Sequence, residues 1–423
     1  MSVKETYATT AGAFLYFHRS LMSDVDELMR AVDTGDVASL SALISARADI
    51  NVTNSQKRTL LRQVIETGHV EMFKMLIAAK ASVNVRDHEG RTPLHLAAKK
   101  AHTTIMQLLV DANANISARD RDGNAPLHCA AKGGDWRALR VLLDAKASVN
   151  SINGNSQSAL HVAASKGRDD AARVLLRGKA DVDMKTCPGQ TALHFAVLGH
   201  LSSTVQLLVD AKANIDLVDV CNEKSAPLHI AARHGDLSTV SVLLKAKASA
   251  INASDTRGST PLHYAAARGD SEIIQLLVDA KANVDLVDPM LRGTALHSAA
   301  MYGHFAATQA LIDAKASLEA RARVYYSEST PLHLAAYIGS APIVQLLVDA
   351  KAALEARDSS HNTPLHLAVR KEDCEKVQIL LTARAALDAE NEDMQTPLQL
   401  ASRRGSAEVI RLLLSHITDS SPK

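Results

Sequence analysis

Aromatic residues are scarce in this chain: Trp, Tyr and Phe together make up only 3% of its 423 residues. The hydrophobic fraction is nevertheless 47%, so Ala, Leu, Val and Ile carry it. That fraction is large enough to bury a core and excludes a chain that is disordered throughout. Small and aliphatic side chains fill thin layers between packed helices, which indicates a repetitive array of helices.

Cysteine is scarce as well. The four Cys residues are scattered and none lies in a CxxC pair, which excludes a disulfide scaffold and a zinc ribbon. No apolar run approaches the ~18 residues that a membrane span needs. The apolar patch at residues 11–17 lacks the basic start and the cleavage site of a signal peptide. We therefore predict a soluble protein of the cytoplasm or the nucleus, without a membrane span.

An excess of charge of one sign is also missing. Lys and Arg number 47 and Asp and Glu number 46, which gives a formal net charge of +1. This near-neutrality excludes a generic nucleic-acid coat and a polybasic membrane binder. A local charged patch is still compatible with it.

What the sequence does contain is one tetrapeptide, repeated along its length. Two weaker copies, centred on Met29 and Arg62, precede ten clear ones, and the mean period is about 33.6 residues. The clear copies of Thr-Pro-Leu-His or a close variant are Thr92–His95, Ala125–His128, Ser158–His161, Thr191–His194, Ala226–His229, Thr260–His263, Thr294–His297, Thr330–His333, Thr363–His366 and Thr396–Gln399.

Most copies are followed by x-Ala-Ala-x-x-Gly, then by an aliphatic helix such as Ile-Val-Gln-Leu-Leu-Val-Asp-Ala, then by a short turn. This pattern resembles the ankyrin repeat. The resemblance implies an all-α ankyrin-repeat solenoid, built of helix–turn–helix units with short β-hairpin loops. About twelve units would occupy residues 24–417, after an N-terminal segment of residues 1–23 and before a tail of residues 418–423.

The residues of one unit support this interpretation independently. Thr92 is a good helix N-cap, because its hydroxyl can accept from a free amide in the first turn. Pro93 suits the next position, where no backbone donor is needed. Leu94, Ala97 and Ala98 then form the apolar stripe of a short helix. One such unit cannot bury its apolar faces alone, so neighbouring units must stack.

The pattern departs from the family at the end of the second helix, where ankyrin units usually carry Gly. That Gly favours a left-handed backbone, in which Lys should cost on the order of 1 kcal/mol. A cation at a helix C-terminus would offset about 0.5 kcal/mol of that cost. We interpret the Lys row as a variant of the repeat, with a role in binding as the alternative. Its members are Lys80, Lys146, Lys179, Lys212, Lys247, Lys281, Lys315 and Lys351, with Arg47, Asn113 and Arg384 as variants.

No catalytic chemistry emerges from the repeated residues. The nine repeated His lie about one period apart, each at the start of its own helix, which is neither a zinc spacing nor a catalytic triad. We expect each to bond neighbouring backbone. The carboxylates recur at one lattice position, which is typical of a solvated face. We therefore predict no enzyme activity, no cofactor, no metal and no small-molecule substrate.

In ankyrin proteins the binding surface is usually a concave groove, and the resemblance implies that the pair after Ala-Ala faces it. Ten of these 24 positions are Lys or Arg and two are acidic, so we predict a basic groove. Solubility is the alternative reason for such charges. The cations chosen as partner-binding residues are Lys99, Lys100, Arg233, Arg268, Arg370, Lys371, Arg403 and Arg404.

One stretch interrupts the basic row with apolar and aromatic residues, and four of the seven Tyr lie between residues 302 and 337. Exposed residues of this kind indicate an interaction hot spot. Alternatively, the hairpin residues fold back to cover a neighbour. The predicted anchors are Met301, Tyr302, Tyr337 and Ile338 on the helices, with Met290, Leu291, Tyr325 and Tyr326 on the hairpins. The aromatic residues near the N-terminus could cap the first unit.

The sequence therefore favours a non-catalytic protein–protein interaction scaffold or adaptor, which binds through the groove and the hairpin tips. The alternative is a regulatory or targeting subunit that recruits a ligase, kinase or phosphatase to a substrate. We expect a protein partner, which could carry an acidic segment, and a monomeric chain. Nucleic acid is not the expected partner, because the basic groove lacks base-stacking aromatic residues.

Overall fold

The computed structural model describes residues 25–46, 48–53, 58–187, 189–220, 222–289, 292–324 and 327–419. The expected N-terminal cap at residues 1–23 therefore lies outside the described residues. The chain divides into two compact units. The first comprises Met1–Cys187, Thr191–Gly199 and Asp210–Ala213, and the second comprises Pro188–Gln190, His200–Val209 and Asn214–Lys423.

The first unit consists of successive pairs of short helices. Its helices are α1 (25–34), α2 (Val37–Ser45), α3 (Leu60–Thr67), α4 (Val70–Ala78), α5 (Pro93–Lys100), α6 (Thr103–Asp111), α7 (Pro126–Gly133), α8 (Trp136–Asp144), α9 (Ala159–Ser165), α10 (Asp169–Arg177) and α11 (Ala192–Leu198).

The second unit continues with the same kind of pairs. Its helices are α12 (Ser202–Asp210), α13 (Pro227–His234), α14 (Leu237–Lys245), α15 (Pro261–Arg268), α16 (Ser271–Asp279), α17 (Ala295–Tyr302), α18 (Phe305–Asp313), α19 (Pro331–Tyr337), α20 (Ala341–Asp349), α21 (Pro364–Arg370), α22 (Cys374–Thr382), α23 (Pro397–Arg404) and α24 (Ala407–Asp419), with a 3₁₀ turn at Ser249–Asn252.

The all-α class and the helix–turn–helix unit are thus confirmed. Short strands β1 (Ala322–Val324) and β2 (Ser327–Ser329) form an antiparallel hairpin. Other loops of the described residues make isolated antiparallel bridges, such as Ile152 with Ser158. No helix in the described part of the chain is long and apolar enough to span a membrane.

The core is made by the aliphatic stripes that the spacing predicts. Leu94, Ala97 and Ala98 of α5 are buried, as are Ile105 and Leu109 of α6. The Ala pair carries no bulk beyond Cβ, so α5 and α7 can pack side by side at close range. Repetition of this layer in each helix pair explains how a chain with few aromatic residues still buries its core.

In seven of the described repeats, a histidine joins the repeat to the next one. The backbone N–H of Thr92 donates to Nδ1 of His95 over 3.1 Å, and the Thr92 hydroxyl lies 2.8 Å from the same nitrogen. Because Nδ1 accepts, the proton is on Nε2, which donates to the carbonyl of Asn124 over 2.9 Å. His95 thus closes the cap of its own helix, in the role that Glu or Gln takes in a capping box, and bonds the following hairpin.

The same bond recurs in both compact units, with 24 to 32 residues between the histidine and its acceptor. Within the described residues, Nε2 of the repeat His lies 2.8–3.2 Å from a backbone oxygen of the next hairpin at His95, His128, His229, His263, His297, His333 and His366. The expectation that these His bond neighbouring backbone is confirmed. The twelfth copy uses Gln399, whose Oε1 accepts from the Thr396 N–H over 2.9 Å.

Burial holds these imidazoles in the neutral form. It lowers the pKa of each of the seven, and it lowers that of His297 to about 4. The hydrogen bond to the next hairpin opposes this shift at every position but does not cancel it. The neutral ring is also what the geometry needs, because only neutral imidazole can accept at Nδ1 while it donates at Nε2.

The Lys row has the backbone conformation that the sequence predicts. Lys80, Lys146, Lys179, Lys212, Lys247, Lys281, Lys315 and Lys351 have φ between 62° and 72°, as do Asn113 and Arg384. Arg47 lies outside the described residues. The N–H groups after α8 show why this conformation is kept: Lys146 N donates to Leu143 O and Ala147 N to Leu142 O, which satisfies carbonyls at the helix end.

We predict that acid destabilises the fold through the histidines. Each has a pKa near 6.5 when unfolded and a lower one when folded, so the unfolded chain binds more protons between these two values. The free energy of unfolding should be highest above pH ~6.5 and should fall as the pH drops toward 4. Urea titrations at several pH values measure this. His297→Gln should lower stability at neutral pH yet reduce the loss on acidification; an unchanged slope would contradict the assignment.

The Lys row gives a second prediction. Lys281→Gly should stabilise the chain by roughly 0.5 kcal/mol, because Gly removes the left-handed strain but also the favourable charge. Lys281→Ala keeps the strain and loses the charge, so it should destabilise by about 0.5 kcal/mol. Urea denaturation of both variants measures the difference. A Gly variant less stable than the Ala variant would exclude strain at this site.

Candidate partner-binding surface

The predicted cations lie where the first helix of a repeat ends. Lys99 and Lys100 end α5, Arg268 ends α15, and Arg403 and Arg404 end α23, and all five side chains are exposed. The helix stops there because the next residue turns into the left-handed region, as Ala101 does after α5 with φ of 58°. The turn leaves the last two side chains of the helix pointing away from the core. Arg370 at the end of α21 and Lys371 after it are exposed in the same way.

Arg233, however, already contacts two carboxylates and an aromatic ring of this chain. Its Nη2 lies 2.7 Å from Glu223 and 3.3 Å from Asp255, and its guanidinium carbon lies 4.4 Å from the centre of the Tyr264 ring. The Tyr264 hydroxyl donates to Asp255, and burial together with this bond raises the pKa of Tyr264 to about 12. The positive charge of Arg233 is therefore already compensated, which leaves little of it for a partner.

The remaining cations differ in whether a carboxylate of the chain pairs with them. Arg268 pairs with Asp270 over 2.8 Å and Arg404 with Glu372 over 3.4 Å, both near the surface. Among the described residues, Lys99, Lys100, Arg370 and Arg403 have no carboxylate within ion-pair distance. Lys371 also has no carboxylate partner in the described chain, although its ammonium lies over the Tyr337 ring, so these five carry the free positive charge of the predicted partner-binding cations.

The predicted aromatic and apolar anchors of the second compact unit differ in exposure. Tyr302 is 56% exposed and Ile338 is 41% exposed, at equivalent ends of the neighbouring helices α17 and α19. Tyr337 instead packs against the buried cluster of this unit, and its ring is covered by Lys371, whose Nζ lies 4.2 Å from the ring centre. Met301 is half-buried. Met290, Leu291, Tyr325 and Tyr326 lie outside the described residues.

Sequence reasoning missed an exposed aromatic residue beside the predicted anchors. Phe305, the first residue of α18, is 51% exposed and follows Tyr302 by three positions. Between them the His304 ring lies 6.2 Å from the Tyr302 ring, and its Nε2 lies 3.0 Å from the carbonyl of Ala267 in the preceding repeat. Its rarity is a signal in the sequence, because only five Phe occur in the chain, but Phe305 follows the link between helices and does not lie in the pair after Ala-Ala.

A surface cavity of about 590 Å³ was missed as well. It lies in the second unit, between the ends of α21 and α23 and two loops that precede them. Arg370 and Arg403 line its helix side, and Glu392 and Asp393 line its loop side. Within the described ranges, no three His, Cys, Asp or Glu side chains converge as a metal site would require.

Comparison with known proteins gives a family match along most of the chain. A family model described as ankyrin repeats (3 copies) matches residues 28–120, 112–186, 178–255, 228–322 and 315–391, and a model of the single ankyrin repeat matches residues 393–421. A similar solved structure is the ankyrin repeat domain of human ASB11, with 29% identity over 54% of this chain and 99% of that one and a TM-score of 0.47. The comparison with curated proteins gives no match.

The two neighbouring Tyr should respond differently to truncation. Tyr337→Ala removes a side chain packed on the core, so it should lower the free energy of unfolding by about 1–2 kcal/mol. Tyr302→Ala removes a largely exposed ring and should change it by less than about 0.5 kcal/mol. Urea denaturation followed by circular dichroism measures both. Equal effects would mean that the burial of the two rings does not differ as described.

Proposed function

The chain belongs to the ankyrin repeat family, and on that premise we propose that it is a non-catalytic scaffold or adaptor for protein–protein interaction. Ankyrin repeats are interaction modules, but the fold alone does not specify a partner. The observation that supports this proposal most is the exposure of Tyr302 and Ile338 side by side in a chain with few aromatic residues. We call the set Met301, Tyr302 and Ile338 the apolar anchor.

The apolar anchor could contribute affinity because its side chains are in water when the partner is absent. Burial of apolar surface contributes about 25 cal/mol per Å², and a Tyr ring loses little conformational entropy on binding. Phe305 adds a second exposed ring close by in sequence. We propose that Tyr337 acts differently from Tyr302: it supports the surface from below, under Lys371, rather than inserting into the partner.

The exposed cations would orient the partner, whereas the apolar anchor would supply affinity. Lys371, Arg370 and Arg268 flank the apolar anchor at equivalent ends of nearby helices, and an acidic segment of the partner would be attracted to them. Exposed ion pairs are individually weak, so we assign them to steering and specificity. The proposed contact set also includes Lys99, Lys100, Arg403 and Arg404 and the hairpin residues Met290, Leu291, Tyr325 and Tyr326. Arg233 is its least available member, because carboxylates already compensate its charge.

In this proposal the chain works as a monomer in the cytoplasm or the nucleus. The alternative function, a subunit that brings an enzyme to its substrate, would use the same surface. The two are separated by what copurifies with the chain. Stoichiometric ligase, kinase or phosphatase subunits would favour the targeting role, whereas a partner without enzymatic activity would favour the scaffold.

We predict that Tyr302→Ala combined with Ile338→Ala weakens capture of the main partner by more than about 1 kcal/mol, because both side chains would be buried on binding. Affinity capture with quantitative mass spectrometry identifies the partner. Titration of the purified partner by calorimetry then gives the change in Kd, which should be at least fivefold.

Leu414→Ala serves as the matched control, because Leu414 is also an exposed apolar residue, 46% accessible, but lies on α24. It should leave the affinity unchanged. If the double variant captures every partner as well as the wild type does, the apolar anchor is excluded as the binding site.

A further inference from the structure

The cavity near the end of the second unit carries both signs of charge on opposite sides. Arg370 and Arg403 lie on its helix side, and Glu392 and Asp393 lie on its loop side. Its volume of about 590 Å³ falls within the range of ligand-binding clefts.

The two pairs of charges do not neutralise each other. Within residues 327–419, none of the four side chains has an oppositely charged group within 4 Å. Arg404 and Glu372, which also line the cavity, are paired with one another instead. Two cations and two carboxylates are therefore available to a ligand, on opposite sides of one cleft.

The loop side is held in place by bonds between successive repeats. Asn391 Nδ2 donates to Asn362 Oδ1 over 3.3 Å, and both residues are buried on the cavity floor. Arg357 Nη1 donates to the carbonyl of Glu390 over 2.8 Å, and Glu392 N donates to the carbonyl of Ser360 over 2.9 Å. Because these bonds fix the loop in advance, a ligand would not have to order it, which favours affinity.

We propose that this cavity binds an extended peptide segment carrying an acidic and a basic side chain a few residues apart. The carboxylate lies between Arg370 and Arg403, where a guanidinium can bind it in a bidentate way, and the basic side chain reaches Glu392 and Asp393. A ligand of one sign, such as a nucleic acid, would be attracted to one side and repelled by the other. The inference rests on the proposed protein-binding function and adds the chemistry of the bound segment.

The experiment is a selection from a random 12-residue peptide library displayed on phage, with the full chain as bait. We expect enriched peptides to share an Asp or Glu and a Lys or Arg at fixed separation. The best peptide, labelled with fluorescein, is then titrated by fluorescence anisotropy. Its affinity should fall several-fold when salt rises from about 0.05 to about 0.5 M, because both contacts are between charges. An all-acidic peptide that binds equally well would overturn the proposal.

Charge reversal tests the site itself. Arg370→Glu with Arg403→Glu should weaken the selected peptide at least tenfold, whereas Arg140→Glu with Arg173→Glu, a matched change on exposed positions of α8 and α10, should not. Adding Glu392→Lys and Asp393→Lys to the first pair should restore binding for a peptide with its two charges exchanged. A misfolded variant could not produce that rescue, and its failure would overturn the assignment.

The outcome separates this inference from the proposed function. If peptide binding ignores all four charges while Tyr302→Ala with Ile338→Ala still lowers partner capture, the cavity assignment fails and the scaffold stands. If peptide binding follows the charges but the apolar double variant captures every partner normally, the cavity stands and the apolar anchor fails.

Discussion

The fold depends on a hydrogen bond that the repeat histidine donates to the hairpin of the next repeat at seven positions of the described chain. One neutral imidazole accepts from the N-cap of its own helix and donates across the boundary, so the start of a helix and the position of the following hairpin are set by the same ring. The Thr, the Pro and the burial of the ring all serve this geometry. Protonation of the ring would remove its Nδ1 acceptor and disturb both repeats together. Burial lowers the pKa at all seven described positions and so opposes protonation. At His229 only the bond to the next hairpin is formed, because its Nδ1 has no partner among the described residues.

Local hydrogen bonds and layers of Ala hold the repeats together. The residue types at the exposed ends of the first helices can therefore vary from one repeat to the next. Equivalent positions of different repeats carry a cation at Lys100 and Lys371 but an aromatic or aliphatic side chain at Tyr302 and Ile338. Function in such a protein lies in residues that the fold does not need. The same freedom permits compensation, since Arg233 occupies one of these positions and is engaged by Glu223, Asp255 and Tyr264.

Most of the fold could be predicted from the sequence, because its determinants are local and repeated. The period, the bonding role of His95 and the left-handed backbone of Lys281 all follow from residue type and position. The surface could be predicted only in part. Whether Tyr337 is exposed depends on where Lys371 rests, 34 residues further along the chain, and no periodicity encodes the rotamer of a Lys. The charge separation in the cavity was not predicted either, because it depends on which side chains of the loops and helix ends stay without an ion-pair partner, and the period does not encode that.

The histidine bond also has a consequence for how such genes change length. Its donor and its acceptor lie about one period apart, so a duplicated segment of one whole period brings a donor for the next hairpin and an acceptor for the previous histidine. Gain or loss of a complete repeat therefore preserves the match between such a histidine and the following hairpin, whereas gain of half a repeat leaves an imidazole facing the wrong backbone. Recombination between copies is thus tolerated in whole-number steps, and the chemistry of a single side chain sets the size of the step.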